Sequence, residues 1–219
     1  MQGLYPIVDI DALAKKGVAP LAFAERVLAA RPALLQLRAK HESSRDVLAL
    51  LEQLKPLCER AGTLLFANDR ADLAALARAD GVHVGQDDLP IEAVRRLFPA
   101  LKVGVSTHDM AQLERALGER PDYVAFGPVF ATESKLRPDP VVGLAGLALA
   151  AKRAEAAGVP LVAIGGITLA HASALSELNV LAAVIGALVS DSLQQAEYTA
   201  LAFQRALVAG PPTLMPSSE

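Results

Sequence analysis

The sequence predicts a single (β/α)8 TIM barrel of the α/β class, and three observations lead to this expectation. Eight short apolar runs alternate with longer helical patterns from end to end, the chain has 219 residues, and no linker divides it. Strand–helix alternation is typical of a parallel sheet joined by right-handed crossovers. Eight such units around one core favour the closed barrel over an open doubly wound sheet.

The eight strand candidates are short, mostly aliphatic or β-branched, and apolar on successive residues. This pattern is expected of strands that are buried on both faces. In chain order they are Leu4–Val8, Leu34–Leu37, Leu64–Ala67, Gly81–Val84, Lys102–Val105, Tyr123–Phe126, Leu161–Ile164 and Ala182–Ile185.

The segments between the strands carry apolar residues at helical spacing. One stripe, at i, i+4, i+7 and i+11, is formed by Val47, Leu51, Leu54 and Cys58. Three later segments follow the same pattern: Leu144–Ala157, Thr168–Leu178 and Leu193–Val208. We expect residues 1–209 to form the barrel as the catalytic domain, and the Pro- and Ser-rich residues 210–219 to be a disordered C-terminal tail.

The net charge, the apolar runs and the cysteine count limit which partners and which cellular location we expect. A net charge of −3 gives no reason to expect nucleic acid, because polyanion binders need a basic surface. No apolar run is long enough to span a membrane, and no signal peptide is evident at the start. The single cysteine, Cys58, excludes an internal disulfide and fits a reducing compartment. We therefore expect a cytoplasmic location.

Polar residues gather directly after the strands, at the end where barrel enzymes keep their chemistry. Period-two alternation places the three polar residues that follow the second strand on one side, facing the barrel mouth. Taken strand by strand from the second to the eighth, the candidates are Gln36, Arg38, Lys40; Asn68, Asp69; Asp88; Ser106; Thr132, Ser134, Lys135; Gly166; and Ile185, Gly186.

The charged members of this set indicate a metal-bridged diphosphate. Arg38, Lys40 and Lys135 are cations suited to phosphate oxygens. Asp69 and Asp88 are hard carboxylate ligands that suit Mg²⁺, which keeps several waters and takes its remaining ligands from a diphosphate.

The last two strands indicate a second, separate phosphate subsite. They end in Gly165, Gly166 and Gly186, and the ends of strands seven and eight are the usual phosphate site of such barrels. Glycine lets backbone N–H groups approach an anion closely. The sequence therefore predicts two anionic subsites on one rim.

Plainer interpretations exist for most of these residues. Asp69 could cap the following helix, as could Asp87 or Asp88, and the glycines could serve only tight turns. Arg38 or Lys40, taken alone, would more often be a surface charge.

The histidines and the cysteine also have plain interpretations. His41 and His171 resemble surface residues, His83 a core or mouth histidine, and His108 a residue just behind the site. Cys58 reads as a core thiol.

The chain resembles the thiamine-phosphate synthases at these same residues. The matching stretches lie in the family's order and span nearly the whole chain. They are Gln36–Lys40, Asn68–Arg70, Gly81–Asp88, Gly104–Ser106, Gly127–Lys135 and Ala163–Ile167.

The resemblance implies a Mg²⁺-dependent transferase that joins hydroxymethylpyrimidine diphosphate to hydroxyethylthiazole phosphate and releases diphosphate. It implies that the metal is held by Asp69 and Asp88, and that Gln36 lies near the pyrimidine. Diphosphate contacts are implied for Arg38, Lys40, Asn68, Ser106 and Lys135, and the catalytic candidates among these are Arg38, Lys40, Ser106 and Lys135. Thiazole phosphate contacts are implied for Thr132, Ser134, Gly166, Ile185 and Gly186.

The chain departs from the family's usual residues at four positions. Val8 replaces a Thr, Ala39 replaces a Glu whose side chain should point away from the mouth, and Ser134 replaces a Thr but keeps the hydroxyl. Gly186 stands where Ser is usual, and this change removes one hydroxyl donor from the phosphate site.

Two alternative functions remain open on the sequence. A thiazole tautomerase-like isomerase would share the barrel but would not need the metal–diphosphate residues. A non-catalytic phospho-ligand-binding barrel would be expected to have lost the charged set. Barrels of this kind often pair, so we also expect a homodimer, although the sequence indicates no interface.

Overall fold

Eight parallel strands close into one barrel in the computed structural model, which describes residues 2–132 and 139–208. Each strand pairs with the next along the chain, and β8 closes the barrel against β1. The strands are β1 Gly3–Asp9, β2 Leu34–Arg38, β3 Leu64–Asn68, β4 Gly81–Val84, β5 Lys102–Thr107, β6 Tyr123–Phe126, β7 Leu161–Ile164 and β8 Leu181–Val184.

Helices surround the barrel and connect its strands. They are α1 Ile10–Ala14, α2 Pro20–Leu28, α3 Ser44–Ala61, α4 Ala71–Leu76, α5 Ile91–Leu97, α6 Met110–Gly118, α7 Gly143–Ala156, α8 Ala172–Ser176 and α9 Leu193–Val208. Two short 3₁₀ turns, Leu169–His171 and Gly186–Leu188, follow β7 and β8. The predicted single (β/α)8 barrel is thus confirmed.

Two hydrophobic layers hold this architecture together. The larger layer lies between the outer face of the barrel and the helices. The smaller layer fills the barrel interior and includes Tyr5, Phe66 and Tyr123. Because strand residues alternate between these layers, both faces of each strand are apolar, and this explains the continuous apolar runs of the sequence.

The predicted strands are confirmed, with differences of one or two residues at some ends. The fifth strand ends two residues later than predicted, at Thr107, and the last strand runs from Leu181 to Val184 rather than from Ala182 to Ile185. Ile185 has φ −112° and ψ −82°, outside the β region, and it begins the turn Gly186–Leu188.

The helix predictions were wrong in one place. The expected helix Thr168–Leu178 is divided into the 3₁₀ turn Leu169–His171 and the short helix α8. Thr168 begins this segment through a capping box in which its N–H donates to Nδ1 of His171. His171, expected at the surface, is therefore half-buried, and its ring stacks on Phe130 with centroids 3.7 Å apart.

Helix α3 agrees with its predicted stripe. All four stripe residues are buried, Ser43 caps the N-terminus, and Gly62 ends the helix in the left-handed conformation. Burial raises the pKa of the Cys58 thiol to about 12, as expected for a core thiol.

Some expectations concern residues outside the described ranges. The predicted tail 210–219 lies there, and so do Ser134 and Lys135. Within residues 2–132 and 139–208, no helix is long and apolar enough to cross a lipid bilayer.

One close contact inside the barrel leads to a test of its packing. Gly104 of β5 is the register partner of Tyr123 of β6, and a Cβ added to Gly104 would lie 2.0 Å from the Tyr123 ring. Gly104→Ala should therefore lower the free energy of unfolding by about 1–3 kcal/mol, through overpacking. Urea unfolding curves would measure this change.

The matched control is Gly118→Ala at the end of α6. Apart from its chain neighbours and the backbone of its own helix, no described heavy atom lies within 4 Å of a Cβ at that position, and alanine favours the helix, so stability should stay the same or rise. Equal stability of the wild type and Gly104→Ala would contradict the interpretation that the Tyr123 ring fills this space.

Candidate active site

A cavity of about 900 Å³ opens at the carboxyl ends of the strands. Every site candidate from the sequence that falls within the described residues lines it. They are Gln36, Arg38, Lys40, Asn68, Asp69, Asp88, Ser106, Thr132, Gly166, Ile185 and Gly186. The volume lies toward the upper end of the range for small-molecule sites.

Arg38 is fixed by a carboxylate on the neighbouring strand. Asp9 and Arg38 are register partners at the ends of β1 and β2, and Nη1 of Arg38 donates to Oδ2 of Asp9 at 2.5 Å. The second oxygen of Asp9 accepts the N–H of Ala12 at 2.9 Å and so caps α1. One buried carboxylate thus starts a helix and orients a cation.

Lys40 is paired with Asp69 across the mouth. Its Nζ lies 2.5 Å from Oδ2 of Asp69. Asp69 directly follows β3 and has φ +63°, and its N–H donates to the carbonyl of His83 at 2.8 Å. A left-handed backbone is uncommon for a residue with a side chain. The contacts around Asp69 must therefore maintain this conformation, which orients the carboxylate.

Asp69 and Asp88 lie close enough to interact directly. Burial raises the pKa of the Asp69 carboxyl above its ordinary value, Lys40 opposes this, and the Asp88 carboxylate raises the pKa further. Oδ2 of Asp88 also accepts the N–H of Gly85 at 2.7 Å. Two adjacent carboxylates repel one another, and a divalent cation between them would relieve that repulsion.

Asn68 contributes an unpaired donor beside these carboxylates. Its Nδ2 is buried and has no hydrogen-bond partner among the described residues. A buried amide without a partner is costly, so such a group suggests an absent acceptor. Oxygen atoms of an anionic ligand would satisfy it.

A chain of hydrogen bonds runs beneath the cavity. Nε2 of Gln36 donates to the hydroxyl of Tyr5 at 2.9 Å, and the Tyr5 and Tyr123 hydroxyls are 2.9 Å apart. Nδ1 of His83 lies 2.8 Å from the Tyr123 hydroxyl, and its Nε2 lies 2.8 Å from Oγ of Ser106. The chain links two candidate residues on different strands through three residues that the sequence did not single out as ligands.

The far wall is built from the ends of β7 and β8. Gly166 has φ +62°, and a Cβ there would lie 2.2 Å from the carbonyl oxygen of Ala131. The plain interpretation of this glycine as a tight turn therefore has support. At Gly186, by contrast, no described heavy atom lies within 4 Å of an added Cβ. Thr132 and Ile185 line the same part of the cavity.

His108, expected just behind the site, lines the cavity itself. Its Nδ1 lies 2.7 Å from the carbonyl oxygen of Gly127 and 3.5 Å from a carboxylate oxygen of Asp139. These contacts connect the end of β5 to the segment after β6.

The helix-capping interpretation of the carboxylates does not hold within the described chain. The N-cap residues of α4 and α5 are Arg70 and Pro90, and neither helix has a side-chain cap. Asp69 and Asp88 instead face the cavity.

Within residues 2–132 and 139–208, no cluster of three or more His, Cys, Asp or Glu side chains could hold a metal ion. Mg²⁺ does not require such a cluster, because it commonly uses one or two carboxylates together with waters and phosphate oxygens.

Three residues of the site were missed as candidates in the sequence, and a fourth, His83, was expected only as a core or mouth histidine. Asp9 carried a signal, because it ends the first strand as Arg38 ends the second. Tyr5 and Tyr123 carried a weaker one, since a buried tyrosine hydroxyl needs a hydrogen-bond partner. Nothing in the sequence indicated that those partners would be each other.

Comparisons with known proteins agree with this geometry. The family model described as thiamine monophosphate synthase matches residues 4–188. A protein named thiamine-phosphate synthase from Koribacter versatilis (strain Ellin345) is 44% identical over 197 residues, which cover 88% of this chain and 92% of that protein. Another of that name from Chlorobium luteolum is 43% identical over 157 residues, covering 71% of this chain and 73% of the relative.

Among solved structures, a thiamine phosphate pyrophosphorylase from Pyrococcus furiosus superposes with a TM-score of 0.80. The two chains are 28% identical, and the match covers 94% of this chain and 96% of the other. The resemblance noted in the sequence is thereby confirmed.

The two roles of Asp9 can be separated by mutation. Asp9→Ala removes the cap of α1 and the carboxylate facing Arg38, so we expect a loss of roughly 3 kcal/mol in the free energy of unfolding. Asp9→Asn keeps an oxygen acceptor for the Ala12 N–H and should cost less. Urea unfolding would measure both variants.

Asp11→Asn is the control, because Asp11 lies two residues away and is partly exposed. Its effect should stay within about 0.5 kcal/mol. If Asp9→Ala lowered the free energy of unfolding no more than Asp11→Asn, the assignment of two stabilising contacts to Asp9 would be wrong.

Proposed function

The chain belongs to the thiamine monophosphate synthase family, and on that basis we propose that it is the Mg²⁺-dependent transferase that couples hydroxymethylpyrimidine diphosphate to hydroxyethylthiazole phosphate. The products are thiamine phosphate and diphosphate. One observation carries the proposal: the carboxylates Asp69 and Asp88 meet the cations Arg38 and Lys40 at the mouth of one cavity.

The diphosphate subsite is assigned to the residues at the ends of β2 to β5. Arg38 supplies a planar guanidinium and Lys40 a point charge, both suited to phosphate oxygens. Nδ2 of Asn68, which has no partner within residues 2–132 and 139–208, supplies a donor in the same place. We assign Lys135 to this subsite as well, although it lies outside the described residues.

The metal assignment rests on the chemistry of the donor set. Asp69 and Asp88 are adjacent hard-oxygen ligands, and they would hold Mg²⁺ with waters and diphosphate oxygens completing its coordination. When bound, Mg²⁺ would neutralise charge on the leaving diphosphate. Lys40 pairs with Asp69 at the cavity mouth, and its ammonium group would also bind the diphosphate.

The proposed reaction needs no side-chain nucleophile. The bond between the pyrimidine methylene carbon and the diphosphate oxygen breaks, and its electron pair leaves with diphosphate. The resulting pyrimidine-methyl cation is captured by the lone pair of the thiazole nitrogen, which forms the new carbon–nitrogen bond. Arg38, Lys40, Ser106 and Lys135 stabilise charge on the leaving group, and the cavity walls position the two rings.

The thiazole phosphate subsite is assigned to the opposite wall. Backbone groups at Gly166, Ile185 and Gly186 line the cavity there, together with the hydroxyl of Thr132. Ser134 belongs to the same proposal and falls outside the described residues. Two anchored anions on opposite walls would bring the two rings face to face between them.

Further expectations about partners and location accompany this proposal. The enzyme acts on small molecules, and we propose no nucleic-acid or membrane partner. A buried, lone cysteine is consistent with a reducing compartment, and we propose the cytoplasm. A homodimer stays a prediction, and its interface is not assigned.

The isomerase alternative is less well supported by the site. A tautomerase acting on the thiazole phosphate would need only the wall formed by β7 and β8. It would leave the paired carboxylates, Asn68 and Lys40 without a role. A non-catalytic binding barrel would likewise leave the charged set unexplained.

A coupling assay with both substrates tests the proposed function and its metal. Product should form with Mg²⁺ and should disappear in excess chelator. Asp88→Ala should lower kcat/KM by about 100-fold or more, because a metal ligand is lost. Product formation measured by chromatography gives the result.

Asp87→Asn is the matched comparison, because this exposed neighbour loses a charge without losing a proposed ligand. Its effect should be much smaller than that of Asp88→Ala. Full activity in chelator would contradict the metal role, and thiazole isomerisation without any coupling would favour the alternative.

Gly186→Ser tests the assignment of the thiazole phosphate subsite to the ends of β7 and β8. The open space at Gly186 admits a hydroxymethyl group, and the added donor should strengthen phosphate binding by about 1 kcal/mol. The KM for the thiazole phosphate should then fall by about fivefold, with the KM for the pyrimidine substrate unchanged. A KM for the thiazole phosphate equal to that of the wild type would count against this placement.

A further inference from the structure

The buried hydrogen-bond chain beneath the cavity contains three residues that the proposed reaction does not use. Gln36, Tyr5, Tyr123, His83 and Ser106 are joined in this order, and every link is 2.8–2.9 Å long. Both ends of the chain line the cavity, and so do Tyr5 and His83. The chain therefore connects two parts of the site. The number of protons that each hydroxyl, amide and imidazole group can donate is known.

The orientation of the Gln36 amide sets the direction of the chain, because each hydroxyl has a single proton to donate. Nε2 of Gln36 donates to the Tyr5 hydroxyl, so the single proton of Tyr5 is directed to Tyr123. The single proton of Tyr123 is then directed to Nδ1 of His83, which accepts it. A neutral imidazole with an accepting Nδ1 carries its proton on Nε2, and it donates to Ser106.

The two phenols keep their protons under ordinary conditions. Burial raises the pKa of Tyr5 and of Tyr123 above the ordinary value for a phenol. A cationic His83 would reverse the link to Tyr123, because Nδ1 would then donate. The proton of Tyr5 would in that case face the N–H group of Gln36 without an acceptor.

A fully reversed chain would require the opposite orientation of the Gln36 amide. Ser106 would then donate its proton to His83, and only lone pairs of its oxygen would face the cavity. An anion placed there would be repelled. In the direction that the structure assigns, Ser106 accepts from His83 and keeps its own proton for the anion.

We propose that Tyr5, Tyr123 and His83 are positioning residues that fix this proton order, so that Ser106 donates to the diphosphate while Gln36 presents its amide oxygen to the pyrimidine. An oxygen acceptor selects a ring that carries an N–H donor, such as an amino group, over one that carries a carbonyl at the same edge. The buried chain thereby couples recognition of the diphosphate to the choice of ring. This inference rests on the proposed function.

The tautomer of His83 is a direct test that needs no activity. Nitrogen-15 NMR of the full chain separates protonated from unprotonated ring nitrogens, and loss of a signal in His83→Gln identifies the residue. We expect a proton on Nε2 and none on Nδ1, both without ligand and with inorganic diphosphate added. A proton on Nδ1, alone or together with one on Nε2, would overturn the proposed order.

A kinetic test separates positioning from simple packing. Tyr123→Phe removes the central hydroxyl and keeps the ring that packs beside Gly104. The preference in kcat/KM for an amino-bearing over a carbonyl-bearing pyrimidine diphosphate should fall by about tenfold. The KM for the thiazole phosphate should not change.

Tyr198→Phe is the matched control, because Tyr198 is 67% exposed on α9 and should leave the preference unchanged. An unaltered preference for the amino-bearing pyrimidine in a folded Tyr123→Phe variant would contradict the proposal. An equal loss of activity toward both pyrimidines would contradict it as well. Failure of the wild type to make any product would instead refute the proposed function, and the NMR result would still report on the chain.

Discussion

The register between neighbouring parallel strands is the constraint on which the site depends. Residues that are register partners point to the same face of the barrel, so the pairs Asp9–Arg38 and Asn68–His83 come together wherever the strands end. A shift of one residue in either pairing would turn one member toward the helices. The closed barrel leaves no free edge at which such a shift could begin, and it therefore protects the position of each polar group.

A second feature is that most of the site's charges are already compensated without a ligand. Arg38 is paired with Asp9 and Lys40 with Asp69, while the Asn68 amide has no partner for its Nδ2 among the residues that the structure describes. Pairing lowers the cost of holding these cations in a partly buried cavity. The two pairs differ in their freedom to change partners. Asp9 is buried and caps α1, whereas Lys40 and Asp69 lie nearer to solvent and can exchange partners.

The sequence was sufficient for the fold and for most of the cavity wall, because both follow from strand periodicity. Apolar runs located the strands, and the residues just after them had to meet at one rim. The sequence was insufficient where the outcome depends on contacts between distant side chains. The hydroxyl contact between Tyr5 and Tyr123 joins residues that are far apart in the chain, so no local sequence pattern predicts it. The division of Thr168–Leu178 into a 3₁₀ turn and α8 was also missed, because both kinds of helical turn bring residues three or four positions apart onto one face.

The contact between Gly104 and Tyr123 has an evolutionary consequence. The tyrosine ring occupies the volume that a side chain on the neighbouring strand would fill, so position 104 cannot change independently of position 123. A larger residue at position 104 would become acceptable only after the ring had been lost, and losing the ring would remove the centre of the buried polar chain. A residue larger than glycine at position 104 should therefore occur only in relatives that have also lost the aromatic ring at position 123.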